Sequence, residues 1–319
     1  MLRLAFCFLL ALVLPLCNSA KAQFESDTKT SGLRVGKTDT EKLRIGIKVT
    51  AMGGPCKGLK GSTPVPLDWP EQQVKIIDEK LSSNVRKVSY RTLGDGAKQM
   101  VIDIPSLEAG EEATAIITFE ITRSSILPPE NTADLKVPTK VDQDMKKYLG
   151  VSPYIETRHA KLRQLAKQTA ADKEGWAMVE ALYDVTREKV EYKEGKMKGA
   201  LQALNDGYGD CEELTSLFIA LCRNVNVPAR AVWVHGHCYP EFYMVDADGN
   251  GEWYPCQAAG TRSFGGIPEL RAIIQKGDSF KDPDRPKEQL RYVNEFLKGA
   301  SSKGGGKPKV EFIREIVTK

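Results

Sequence analysis

Cys211 is the residue of this chain best placed to do chemistry. It follows Tyr208-Gly209-Asp210 and precedes Leu214, Leu217, Phe218, Leu221 and Val225, whose i, i+3, i+4, i+7 spacing predicts an amphipathic helix opening at the cysteine. Asp210 and Glu213 read as the capping box of that helix. A cysteine in a first helical turn sets its sulfur near unpaired backbone N–H groups and the positive end of the helix dipole, and both favour the thiolate. Asp210, Glu212 and Glu213 oppose it, so a cationic partner is required. The chain has 3 histidines, and two of them, His235 and His237, lie just downstream on either side of Gly236. His237 is the first choice of base and His235 the alternative. A thiolate beside an imidazole is the machinery of nucleophilic attack on a carbonyl.

The elements that must bring these groups together follow in order. Pro228 stops the helix, and Ala229-Arg230-Ala231-Val232-Trp233-Val234 reads as a strand, which puts His237 at or near a strand edge. Glu241 to Val245 is a second strand, Asp246 to Gly251 a hairpin turn, and Trp253-Tyr254-Pro255-Cys256-Gln257 the returning strand. Trp233 and Trp253 read as strand packing, with either able to wall a thiol pocket. Tyr208 can help an oxyanion site alongside the backbone N–H of Cys211.

Four blocks within about fifty residues resemble the core of the transglutaminase-like superfamily. They are Tyr208-Gly209-Asp210-Cys211, then Leu221-Cys222-Arg223 with Val227-Pro228-Ala229-Arg230, then His237-Cys238-Tyr239-Pro240-Glu241-Phe242-Tyr243, then Trp253-Tyr254-Pro255. The resemblance implies an α+β, papain-like fold whose Cys-His-Asp triad transfers acyl groups from protein or peptide amides. The acceptor is then water or a primary amine, and no cofactor is needed. Carried over, Cys211 matches the nucleophile and His237 the base, while Gln257 stands where the aspartate belongs. The side-chain carbonyl of Gln257 can still accept the Nδ1–H of the histidine, as the amide of Cys-His-Asn sites does. The substitution also admits a reading from a different class, a non-catalytic envelope binding module or scaffold whose β-domain does the work.

Other residues carry plainer readings. Cys222 lies on the apolar stripe and reads as core, and Arg223 and Arg230 as members of structural ion pairs. Asp246-Ala247-Asp248-Gly249-Asn250-Gly251 matches the opening of a calcium loop, but Gln257 holds the twelfth position and the flanks read as strands, which favours an acidic hairpin. No C-x-x-C pair appears, and no metal site is expected.

A formal charge of +4 is too small and too dispersed to recruit nucleic acid. Met1-Leu2-Arg3, an apolar run from Leu4 to Leu16 and the small residues up to Ala22 read as a secretory leader, giving an exported protein, periplasmic or extracellular and at most peripheral to a membrane. Loss of residues 1–22 would leave Cys56, Cys211, Cys222, Cys238 and Cys256, with Cys238 and Cys256 able to face one another across the hairpin. Residues 23–128 read as an antiparallel β-sandwich: Leu43, Ile45, Ile47 and Val49 alternate, as do Ala113, Ala115, Ile117, Phe119 and Ile121. Residues 129–283 form the cysteine-bearing domain, starting after the break at Pro128-Pro129, with helices around Leu162 to Thr169 and Trp176 to Tyr183. Residues 284–319 read as an extension of one helix, Leu290 to Leu297, and one strand, Val310 to Ile313; Ile267 to Leu270 is a further helical candidate.

Overall fold

Period-two patterning builds the first layer. In the computed structural model, which describes residues 32–300 and 305–317, the opening strand β1 (Arg34–Met52) turns Leu43, Ile45, Ile47 and Val49 into a fully excluded interior. The expected secretory leader lies outside the described residues. The strands β2 (Cys56–Val65), β3 (Gln72–Leu81), β4 (Lys87–Leu93), β5 (Ala97–Leu107) and β6 (Glu112–Leu127) follow, all paired antiparallel. β1 and β3 flank β6 in one sheet, and β2 and β4 flank β5 in the other. Their inner faces meet in one core: Ile45, Ile47 and Ile117 from the first, Leu59, Met100 and Ile102 from the second. Pro64, near the end of β2, and Pro66, just after it, are buried, and the Trp69 ring packs under Lys276 Nζ.

The second half wraps helices and a sheet around one central helix. α1 (Ala160–Ala170), α2 (Gly175–Lys189) and α3 (Ala200–Asp206) pack on α4 (Cys211–Asn224), and a two-residue parallel pair, β7 (Glu191–Tyr192) with β8 (Tyr208–Gly209), leads into it. The antiparallel sheet has the order β12 (Ser263–Phe264), β11 (Gly251–Gln257), β10 (His237–Val245), β9 (Ala229–Val234), β13 (Ile273–Lys276). The apolar stripe predicts an amphipathic helix, yet α4 is buried on every side from Glu213 to Arg223, because β9 and β10 cover one face and three helices the others. Stripe and non-stripe residues are alike inside, so periodicity marked the helix but not its depth.

The chain end corrects the expected helices. No helix forms at Leu290 to Leu297 or at Ile267 to Leu270. Instead β14 (Phe280–Asp282) and β15 (Arg285–Leu290) make a hairpin, β16 (Phe296–Ala300) adds to β2, and β17 (Lys307–Val317) adds to β1. Tertiary pairing decided it: the edges of β2 and β1 offered free backbone partners, and Ile267 exchanges both backbone hydrogen bonds with Ile126 at 2.8 and 3.0 Å. The sandwich is therefore two four-stranded sheets, β17-β1-β6-β3 and β16-β2-β5-β4, each completed by the last part of the chain. The five described cysteines are free, and the proposed pairing of Cys238 with Cys256 does not occur. Register forbids it: Cys238 sits opposite Trp233 on β9, whereas Cys256 sits opposite Phe264 on β12. Among the described residues no helix is long and apolar enough to cross a membrane.

Candidate active site

The start of α4 is held by a network that also disposes of its acids. Asp210 Oδ1 accepts the N–H of Glu212 at 2.7 Å, and Glu213 Oε2 accepts the N–H of Asp210 at 2.9 Å. Glu213 Oε1 also accepts the N–H of Lys198 at 2.9 Å. Gly209 is required here, since a Cβ would lie 2.5 Å from the Cβ of Glu213. Glu212 pairs with Arg291 at 2.8 Å. The three carboxylates that threaten a thiolate at Cys211 are thus spent on backbone donors or a guanidinium.

His237 arrives through a tight connection. β9 ends at Val234, Gly236 takes φ 67° in the left-handed region, and His237 opens β10 directly opposite Val234. Its Nε2 lies 3.2 Å from Gln257 Oε1 at the end of β11. The ring nitrogen facing the amide is therefore Nε2 and not the expected Nδ1. The backbone carbonyl of Gln257 is itself fixed, accepting from Tyr183 Oη at 2.7 Å and Arg187 Nη1 at 3.1 Å.

These contacts bring Cys211, His237 and Gln257 together and reset two protonation equilibria. The Cys211 thiol is pulled down to about 4: a hydrogen bond with the Cys238 side chain acts most strongly, burial works against it, and the His237 side chain and the Cys238 backbone add to it. Burial would lower His237, but its hydrogen bonds with Cys211 and Gln257 outweigh that and raise it above the usual imidazole value. Thiolate and imidazolium are each other's favoured partners. Cys222, eleven positions on and fully buried, moves the other way, well above the usual thiol value.

Cys211 and His237 both open onto a cleft of about 840 Å³. Trp233, with its Nε1 donating to the carbonyl of Gly277 at 2.8 Å, forms part of its wall; Tyr192, Glu194 and Met197 form another. The far side consists of Gln289, Leu290, Arg291, Tyr292 and Asn294 with Arg314 of β17. No motif flagged these last residues, which lie beyond the four blocks and reach the site only because β16 and β17 return to the sandwich.

Tyr208 and Trp253 do not line the cleft. Tyr208 is exposed, its ring under Lys198 Nζ at 3.5 Å, and Trp253 stacks beneath Arg230 at 4.0 Å in a separate pocket. His235, on the turn, gives its carbonyl to Arg271 Nη1 at 3.0 Å; its buried Nδ1 has no partner among the described residues, and it too stands outside the cleft. Arg223 pairs with Asp278 at 2.8 Å and Arg230 with Glu241 at 2.9 Å, both inside the protein. At the acidic hairpin, Asp246 Oδ1 accepts the N–H groups of Asp248 and Asn250 at 3.0 and 2.8 Å, an Asx turn between two strands.

A papain-like α+β fold with a thiol and an imidazole across a helix–strand junction defines the class. Residues 163–258, from α1 past the end of β11 and carrying Cys211, His237 and Gln257, match the model of the transglutaminase-like superfamily. In three dimensions the chain is similar to a candidate cysteine protease from Cytophaga hutchinsonii, with a TM-score of 0.58 and 19% identity over 89% of this chain and 93% of that one. The likeness spans the sandwich as well as the core and speaks to fold. A candidate protease from Parabacteroides distasonis ATCC 8503 aligns over 70% of this chain and 68% of its own, at 10% identity and a TM-score of 0.26. No curated protein matches the sequence.

Proposed function

We propose that the chain is a cysteine enzyme that cleaves protein or peptide amides through a thioester on Cys211. The thiolate attacks the amide carbonyl carbon, forming the C–S bond as the C–N bond breaks, and the imidazolium of His237 passes its proton to the departing amine. His237, now neutral, takes a proton from water or from a primary amine, which attacks the thioester and releases an acid or a new amide; the thiolate and imidazolium are restored. Gln257 holds the ring by its Nε2 face, and the Cys211 N–H, without an intrahelical acceptor in the first turn, is available to the oxyanion. The observation that carries this reading is geometric: Cys211 and His237 line one cleft, with His237 Nε2 3.2 Å from Gln257 Oε1, while Cys222 on the same helix is fully buried.

The test is the rate of iodoacetamide alkylation at Cys211 against pH, read by peptide mass spectrometry with Cys222 as internal comparison. A midpoint near 4 supports the enzyme, and Cys211→Ala should then abolish turnover of a peptide-amide library while the protein stays folded. A midpoint at about 8.5, the value of an ordinary thiol, sinks it and leaves the scaffold reading, with Gln257 marking a disused site. We also place the protein outside the cytosol, on the leader-like residues 1–22; an exported protein whose intact mass retains them would reverse that.

A further inference from the structure

Tyr154 lines the cleft in a backbone conformation that a tyrosine rarely adopts. Among the described residues, three that are not glycine have φ in the left-handed region: Tyr154 at 67°, Asp172 at 60° and Asn226 at 62°. Aspartate and asparagine tolerate that region through short polar side chains, whereas a bulky tyrosine is strained there. The strain comes from a turn. Ser152 and Ile155 bridge antiparallel, with the Ile155 N–H donating to the Ser152 carbonyl at 3.0 Å, so Pro153 and Tyr154 are its two central residues. Proline fixes the first at a φ of about −65°, and a positive φ at the second makes a type II turn, whose second central position favours glycine. Two anchors hold it: Ser152 Oγ accepts from Arg223 Nη1 at 2.8 Å, and the Tyr154 carbonyl accepts the N–H of Ala200 at 2.9 Å. Neither uses the Tyr154 side chain, so the turn itself gives no reason for a tyrosine.

The core gives none either. Tyr154 is 43% exposed, and Tyr192 and Met197, which line the same cleft, are 53% and 52% exposed. Large apolar side chains left open around one concave surface mark a binding site rather than packing. The backbone brings Tyr192 close to the thiol, since on β7 it pairs with Gly209, two residues before Cys211. Arg291 ties Tyr154 to the same place: its guanidinium lies 5.6 Å from the Tyr154 ring centroid and pairs with Glu212, the residue after Cys211. That contact does not account for the tyrosine, because the Trp233 ring already lies against Arg291 at the shorter distance of 5.0 Å. The two arginines of the cleft, Arg291 and Arg314, are committed to Glu212 and Glu295. We propose that Tyr154 is a specificity-determining residue: together with Tyr192 it holds a large apolar side chain, an aromatic one best, on the peptide residue that supplies the scissile carbonyl. The inference rests on the cysteine-enzyme reading.

The probes are N-acetyl-phenylalanine chloromethyl ketone and N-acetyl-glycine chloromethyl ketone, in which the chloromethyl carbon bonds to the Cys211 sulfur as chloride leaves. In the full-length protein the phenylalanine reagent should alkylate Cys211 ~10-fold faster than the glycine reagent or more, each rate divided by that with free cysteine. Tyr154→Gly should cut this preference ~5-fold without lowering the melting temperature, and Tyr154→Phe, which keeps the ring, should retain it. Iodoacetamide has no side chain to recognise and should report the same Cys211 midpoint in all three proteins. Tyr192→Ser should cut the preference ~2-fold or more, and it carries the test should Tyr154→Gly fail to fold. No preference in the unmutated protein, or one that Tyr154→Gly leaves unchanged, overturns the proposal, and a low iodoacetamide midpoint then leaves the enzyme reading standing. A preference unchanged in Tyr192→Ser does the same where Tyr154→Gly does not fold. An ordinary midpoint in the unmutated protein overturns both.

Discussion

Strand β10 carries two sets of charged groups a few residues apart, and they are built on opposite terms. At its start, His237 faces the Cys211 thiol with one side open to the cleft. Further along, Glu241 accepts from Lys276 at 2.7 Å and from Arg230 at 2.9 Å, and Lys276 also holds Glu71 at 2.6 Å. The rings of Trp69 and Trp253 lie against these cations. Burial pushes Glu241 up, but the two cations overcome it and hold its carboxyl below the ordinary range. In the second set every charge is matched within the protein, so nothing is left for a substrate. In the first, the matching is between two groups that can both move a proton, and one face stays free. Charge burial alone does not mark a site of chemistry; an unspent face does.

The largest expected effect belongs to the matched set. Lys276→Met strands Glu71 and leaves Glu241 with one cation, and should cost about 3–5 kcal/mol of stability in denaturant unfolding, with the Cys211 alkylation midpoint unmoved. A midpoint shifted with the stability would mean that the two sets form one network, and the contrast breaks. Next, His237→Ala should lower the alkylation rate at pH 6 by ~10²-fold or more, as the thiol returns toward its free value, with little change in melting.

The pH dependence sharpens the comparison. Cys211 is depressed on folding, so its stabilisation is full above the unfolded thiol value and fades as pH falls toward about 4. His237 is raised, so its contribution is full below the unfolded imidazole value and is lost as pH rises through the folded one. The ion pair occupies the window between, and turnover should be bell-shaped across it. Gln257→Asp should lift His237 further and move the alkaline limb up by about one unit; an unmoved limb would show that position 257 does not communicate with the ring. The smallest effect is expected at Tyr208→Ala, where alkylation should stay within about twofold of the unmutated rate, since Tyr208 lies outside the cleft.

Much of the site was legible because its signals are local. A capping box, a helix-period stripe and a strand alternation are written in residues three, four or two apart, which is why α4 and β9 fall where the pattern places them, whereas β10 begins before the expected Glu241, at His237, because its first residues pair with β9. The alternation in β1 and β6 likewise marks their buried faces. The misread regions share a cause. Leu290 to Leu297 has enough apolar residues for a short helix, but the open edge of β2 claimed Phe296 onward, and nothing within the segment announces a partner at Ser62. Trp253 sits on a predicted strand near the motif, yet the cation beneath it is Arg230, and the tryptophan that reaches the cleft is Trp233.

The sequence by itself determined the helix start at Cys211, the histidine after a glycine turn and the order of the strands around them, because each depends on backbone preferences and periodicities within a few residues. Only the tertiary structure decided that Nε2 faces Gln257, that Arg291 neutralises Glu212, and that Gln289, Arg291, Tyr292, Asn294 and Arg314 line the cleft. Those outcomes depend on which groups meet across long stretches of chain, and such meetings leave no mark in local spacing.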